Sequence, residues 1–458
     1  MKKGKIIRYI CLILFFAVIL PVLSVNTSAA QSEIEQKIQS ETFVLMDGDT
    51  GQVLLEKNMN EKIYPASITK IMTALIALEK GKLSDTITMS YDAVFSIGRE
   101  TSNIALDENE QLTLEQALYA LAISSANDAA NGIAELIGGS MPDFAVQMTA
   151  KAKELGAKNT NFTNAHGLHD KNHYTTAYDM ALIMAAAVKI PEFTKIFSSV
   201  SYDMPPTNRQ PDARQFNRKF SLIEGPNKYD GIIAEKNGWT GDAGFTYAAA
   251  ARRDGKTLIA IVIKSPSETA RWEDTTALFD YGFNEFTPVS YSSNEIVKEQ
   301  YMIEGTDGSK MNMGLTPDGD FNCFILKSLN KSDIEVKYTF TINEATGKME
   351  SKAIFSLKPE LSNFMFTELG EVNLQIYFNS DGKSSPVNSN IRTDNDPTKK
   401  NVNKKSILSK IFTALSIVLE IIGILTIVWL ILYVRKNIII QKRKKRKNNY
   451  NNNMYRRY

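Results

Sequence analysis

Three short runs in the chain bring together nucleophilic, basic and amide side chains at spacings that let them share a pocket. The first is Ser67-Ile68-Thr69-Lys70. On a helix, positions i and i+3 lie on one face, so the Ser67 hydroxyl and the Lys70 amine would face the same space. An amine that takes the hydroxyl proton makes the serine oxygen a nucleophile for acyl transfer. Ser67 follows Pro65 and opens the apolar periodic run Ile68, Ile71, Met72, Leu75 and Leu78. It would therefore sit at the positive end of that helix, which favours a developing alkoxide. A lysine of ordinary pKa, about 10.4, is neutral in only about one molecule in a few thousand at pH 7. A working pair thus needs Lys70 desolvated or beside another cation. Taken alone, Ser-x-x-Lys is a weak signal that occurs by chance in most long chains, more often as a capping serine with an exposed lysine.

The second run is Ser125-Ala126-Asn127, which interrupts an apolar helical stretch (Leu118 to Ile123) just before another (Ala129 to Ile137). Polar side chains there are poor core material. They make sense facing a cleft, where Ser125 can relay a proton and Asn127 can hold a substrate amide. A helix break with a local cap is the plainer alternative. The third run is Lys236-Asn237-Gly238-Trp239-Thr240-Gly241, just before an apolar run from Tyr247. A cation there can steer a substrate carboxylate and lower the pKa of a nearby lysine. Gly238 would let a substrate backbone approach the strand edge.

The elements that must position these runs are readable. Thr42 to Met46 and Gln52 to Leu55 flank Asp47-Gly48-Asp49-Thr50-Gly51, a hairpin pattern; Tyr247 to Ala251 and Thr257 to Ile263 flank Asp254-Gly255, a second. Helices lie between. Thr113-x-x-Gln116 is a capping box, Ser140 caps a helix stopped by Gly156, and Thr176-x-x-Asp179 opens another that ends by Pro191. A last helix is expected over about 268–281. Strands at both chain ends with helices between predict an α/β (α+β) domain, an antiparallel sheet covered by helices. From 287 to 380 short alternating runs (Ile334 to Ile342, Met349 to Phe355, Val372 to Phe378) predict a small all-β domain.

The order Ser-x-x-Lys, Ser-x-Asn, then Lys-x-Gly before a strand resembles the signature set of the penicillin-interacting serine enzymes. The body closely resembles the D-alanyl-D-alanine carboxypeptidases, the low-molecular-mass penicillin-binding proteins. The stretches Tyr64 to Ala74, Ala126 to Ala130, and Asn164-Ala165-His166-Gly167-Leu168 followed by His173 to Met180 carry that likeness, over about residues 33–285. One departure stands out: the family's third motif is usually Lys-Thr-Gly, and here Asn237 takes the middle place. The resemblance implies a penicillin-binding/β-lactamase-like transpeptidase fold and a peptidoglycan stem peptide as substrate. It implies Ser67 as nucleophile, Lys70 as base, Ser125 and Asn127 in proton relay and substrate positioning, and acylation of Ser67 by β-lactams. The backbone N–H groups of Ser67 and Trp239 would stabilise the oxyanion. Lys236, Asn237 and Thr240 would hold the substrate carboxylate, and His166 would order the loop beside Lys70. No cofactor and no metal are expected: His166, His169 and His173 are irregularly spaced and lack a cysteine or acidic cluster. A β-lactamase, esterase or transpeptidase on the same fold, or a non-catalytic relative disabled by Asn237, are the alternatives. No Glu-x-x-Leu-Asn stretch is present to supply a class A β-lactamase's deacylating carboxylate.

The ends suggest where the body works. Lys2, Lys3, Lys5 and Arg8 precede an apolar stretch and small residues at Ser28 and Ala30, the pattern of a signal peptide over 1–30. The expected domains follow as 31–286 catalytic, 287–380 β, 381–410 a polar linker, 411–434 a transmembrane helix and 435–458 a basic tail. Residues 411–434 are long enough to cross about 30 Å of hydrocarbon, with Glu420 their one charge. Ten Lys/Arg and no acids in 435–458 would hold the tail in the cytoplasm and the body outside it. The chain carries +2 overall, so with so many cations at its ends the body between is acidic, which disfavours nucleic acid as a partner. Only Cys323 would remain after processing, so the fold must rest on an ordinary hydrophobic core rather than disulfides.

Overall fold

In the computed structural model, the described residues are 33–219, 221–297, 301–304, 310–342, 349–361, 367–380 and 383–386. Five antiparallel strands form the main sheet, in the order Val53–Lys57, Thr42–Asp47, Lys256–Ser265, Gly244–Arg253, Ile232–Thr240. The N-terminal hairpin thus inserts beside the C-terminal three strands, and Ile232–Thr240 is left as an edge. Both hairpin turns follow their chemistry. Asp47 accepts from the Thr50 amide (2.7 Å) and hydroxyl (2.6 Å), and Asp254 and Gly255 both take positive φ (50° and 77°), as a tight two-residue turn demands.

Both faces of the sheet are buried, and the two-residue side-chain period sorts its strands between two cores. Val44, Met46, Ile259, Ile261, Ile263, Ala248 and Ala250 point to the larger, helical side. Phe43, Leu45, Leu258, Ala260, Val262 and Tyr247 point to the other, covered by the helix Glu268–Glu285, which runs four residues further than its apolar pattern suggested. On the helical side lie Lys70–Lys80, Leu114–Ile123, Asn127–Gly138, Met141–Glu154, Ala177–Ala187 and Pro191–Phe197. Their starts are the expected ones: Thr113 and Gln116 form a reciprocal cap, Ser140 accepts from the Asp143 amide, and Thr176 from the Asp179 amide. Helix Lys70–Lys80 has eight consecutive buried residues, Lys70 through Ala77. A helix buried all round is the domain's central post.

Beyond the Glu268–Glu285 helix, strand Phe286–Tyr291 pairs with Phe321–Leu326, and a second sheet joins Tyr301–Glu304, Lys310–Pro317, Glu368–Ser380, Met349–Leu357 and Ile334–Ile342. Strand Lys383–Pro386 pairs with Tyr377–Ser380, a few residues into the stretch read as linker. Gln52 stitches the two parts: its amide donates to the Phe324 carbonyl (2.8 Å) and accepts from the Phe324 N–H (2.7 Å). Among the described residues no helix is long and apolar enough to cross a membrane. The signal-like stretch 1–30, the segment 411–434 and the basic tail lie outside them.

Candidate active site

Ser67 sits in a single 3-10 turn, Ala66–Thr69, and the α-helix proper begins at Lys70. The sequence suggested one continuous α-helix. The tighter turn suits the pair better, because side chains at i and i+3 eclipse in a 3-10 turn. Lys70 Nζ lies 3.0 Å from Ser67 Oγ. It also donates to Asn127 Oδ1 (2.7 Å) and to the His166 carbonyl (2.7 Å). A neutral amine has two N–H bonds and one lone pair. With two carbonyl oxygens taking the two hydrogens, the lone pair is left facing the Ser67 hydroxyl, the orientation a base needs.

The amine is also electronically prepared. Lys70 is fully buried, and desolvation pulls its pKa from 10.5 to about 7, against the opposing pull of Asp128. Asp128 is itself buried, which raises its pKa; its carboxylate accepts from the amides of Ile104 and Leu106 (3.1 Å each) and so fastens the 102–107 loop beside the site.

The turn that presents Ser67 is strained and wedged. Ala66 has φ 51°, in the left-handed region that costs a non-glycine residue energy. Two glycines hold it by close approach. A methyl group added at Gly167 would lie 1.9 Å from the Ala66 carbonyl; one added at Gly238 would lie 2.7 Å from the Ser67 nitrogen. Thr246, on the strand paired with Gly238, donates to the Pro65 carbonyl (3.1 Å). Gly238 was expected to admit a substrate backbone. Its missing side chain first admits the backbone of Ser67.

Ser125 joins two helices at φ 56°, and its Oγ is buried with no hydrogen-bond partner among the described residues. That hydroxyl lies two residues from Asn127, on the connection between the two helices. Asn127 is anchored through its own amide to the Ser102 carbonyl (2.8 Å).

Lys236 is buried to 1% exposure on the edge strand. Desolvation first, then Lys70, Arg218 and Arg271, push its pKa well below the ordinary lysine value, with Glu235 opposing. Its Nζ donates to the Asn237 carbonyl (2.8 Å) and to Asn237 Oδ1 (3.0 Å). The Asn237 side-chain oxygen is so engaged, and the NH₂ of this exposed residue has no hydrogen-bond partner among the described residues. Trp239 is 61% exposed beside it, and Thr240 Oγ1 accepts from the Ala243 amide (3.0 Å). His166 acts on Lys70 through its carbonyl. Its ring nitrogen Nδ1 accepts from the Leu168 amide (3.1 Å), and burial beside Lys70 lowers its pKa to about 3, so the ring is neutral.

The structure thus joins Ser67, Lys70, Asn127, the His166 carbonyl and Gly238 by direct contact, with Lys236 close enough to couple electrostatically to Lys70. Sequence reasoning missed Thr246 and Asp128. Asp128 had a visible signal, an acid in the first turn of a helix beside Asn127; Thr246 had none, being one more strand residue. It also missed the bonds behind Lys236, where Glu235 accepts from Arg218 (3.3 Å), the Leu222 amide (3.0 Å) and the Tyr247 hydroxyl.

A helix-covered antiparallel sheet with a Ser–Lys pair at the foot of its central helix defines a serine acyl-transfer enzyme of penicillin-binding-protein type. The solved penicillin-binding protein 5 from Haemophilus influenzae matches with TM-score 0.59 at 28% identity, over 74% of this chain and 96% of that one. Penicillin-binding protein 6B from Escherichia coli shares the fold with TM-score 0.54 at 23% identity, over 73% and 95%. D-alanyl-D-alanine carboxypeptidase DacF of Bacillus subtilis is 33% identical over 334 residues, 70% of this chain and 82% of DacF. A family model described as D-alanyl-D-alanine carboxypeptidase matches residues 26–267. The chain belongs to that family of serine peptidases.

Proposed function

We infer that the chain is a serine-type D-Ala-D-Ala carboxypeptidase that removes the terminal D-alanine from peptidoglycan stem pentapeptides through a Ser67 acyl-enzyme. The observation that carries this reading is the buried Lys70 amine, tuned to about 7 and held by two carbonyls with its lone pair toward Ser67. Lys70 takes the Ser67 proton as Oγ bonds to the penultimate D-Ala carbonyl carbon. The amides of Ser67 and Trp239 receive the oxyanion. The C–N bond then breaks as Lys70 returns its proton through Ser125 to the departing amine, which leaves Lys70 neutral again. Asn127 holds the substrate amide; Lys236, with the Asn237 NH₂ and Thr240, holds the terminal carboxylate. Water next attacks the ester carbonyl and gives a proton to the neutral Lys70, which passes it to Ser67 Oγ as the C–O bond breaks and Ser67 is freed.

β-Lactams, which present a strained amide and a carboxylate together, acylate the same oxygen. The matching test pairs labelling by a fluorescent penicillin with D-Ala release from a pentapeptide. The wild type should label stably and release D-Ala, and Ser67→Ala should do neither. Failure of the folded wild type to label would point to a non-catalytic relative, and rapid penicillin turnover to a β-lactamase.

The same reading places the body outside the cytoplasm, with 411–434 as membrane anchor and the 435–458 tail inside. Its support is the apolar length of that segment and the ten cations beyond it. External protease applied to intact cells should remove the body and spare the tail; a protected body would overturn it.

A further inference from the structure

The His166 carbonyl orients Lys70, yet it belongs to a loop and needs an anchor of its own. The residues around it show one. His173 is buried to 2% exposure and bridges two elements. Its Nδ1 lies 3.1 Å from the Thr163 amide, and its Nε2 lies 2.9 Å from Thr69 Oγ1. A backbone N–H can only donate, so Nδ1 accepts, the proton sits on Nε2, and Nε2–H donates to Thr69. Thr69 is the residue before Lys70. Three successive contacts then fix this region against the 3-10 turn and the helix that follows it: Thr69 with His173, Lys70 with the His166 carbonyl, and the Thr73 hydroxyl with the Ala165 carbonyl (2.6 Å).

We propose that His173 is a positioning residue: its bridge from the Thr163 amide to Thr69 sets the 163–168 loop so that the His166 carbonyl captures one Lys70 N–H and leaves the lone pair on Ser67. This rests on the reading of Lys70 as the base. The ring itself touches no reacting atom. Its neutrality matters, because a protonated Nδ1 turns from acceptor to donor and collides with the Thr163 N–H. Burial, with Lys70 and His169 nearby, lowers its pKa to about 4, against the opposing pull of Asp170; His166 faces it as well. The bridge therefore stays intact through the range in which Lys70 titrates.

The test is the rate of acylation by a fluorescent penicillin followed from about pH 5 to about pH 10, with melting temperatures alongside. The wild type should show an acid limb near 7, the Lys70 value. His173→Ala should lower the neutral-pH rate about 10- to 100-fold. It should also move the limb upward, toward the ordinary lysine value, as the loosened loop admits water to Lys70. His173→Gln should restore rate and limb together, since its oxygen can accept from Thr163 and its NH₂ donate to Thr69. Thr69→Val breaks the same bond from the other end and should shift the limb in the same sense; it decides the matter if His173→Ala does not fold. A limb unmoved in Thr69→Val and His173→Ala, with only the melting temperature lowered, would overturn the proposal. A wild type that does not label at all would instead sink the carboxypeptidase reading.

Discussion

The catalytic part adds buried acidic and basic side chains to its apolar cores, and the β part does not. Around the site, Lys70, Lys236, Glu235, Asp128 and His173 are all at or below 2% exposure. From residue 286 onward, the one polar side chain buried among the described residues is Ser351, at 5%. The β part is packed by apolar groups: Phe321 stacks on Phe355 with ring centroids 3.7 Å apart, and Leu315, Ile325 and Leu357 surround them. Burying a charge or an amine costs free energy that burying a phenyl ring does not. Five such groups gathered around one site mark the part proposed to react, whereas no charged side chain is buried among the described residues of the β part.

Substitutions should divide along that line. Ser67→Ala should lower acylation by about 10⁴-fold or more while leaving the melting temperature of both parts nearly unchanged, read by penicillin labelling and calorimetry. Lys70→Ala should cost about 10³-fold in the same rate, the scale of a lost general base. The wild-type rate should climb about tenfold per unit of pH below about 7 and level off above it, because the neutral amine is the active form. A limb that falls with rising pH through 7 would break the assignment. Phe355→Ala should act only on stability. It should cost about 3–5 kcal/mol of unfolding free energy, with the acylation rate of the folded fraction changed less than about twofold.

Asn237→Asp would put a carboxylate beside Lys236 and facing the substrate's own. It should lower kcat/KM about tenfold for a peptide ending in a free carboxylate, and much less for the corresponding amide. The smallest expected effect concerns acid stability. His173 is neutral when folded, with a pKa of about 4 against an ordinary 6.5, so its contribution is complete above about 6.5 and is lost as pH falls toward 4. Melting scans of His173→Gln should show a shallower loss than the wild type across that interval.

Much of this was legible from local chemistry. The hairpin turns at Asp47 to Gly51 and Asp254-Gly255, the caps at Thr113, Ser140 and Thr176, and the strands from 334 onward depend on neighbours a few residues apart. Their signals survive in one dimension. The three chemical runs were visible for the same reason, being short. What could not be read were bonds across long separations, such as Thr246 to Pro65 or Glu235 to Arg218, and the use of His166 through its carbonyl rather than its ring. Any residue has a carbonyl, so nothing in its side chain marks that use.

Residue types and spacing singled out the groups proposed to react: a hydroxyl and an amine one turn apart, an amide, and a second lysine near a glycine. Only the tertiary structure decided that the amine is fit to act. Its removal from water and the two carbonyls that aim its lone pair come from residues 57 and 96 positions away. A pKa is set by what surrounds a group in space, and local sequence holds no record of that.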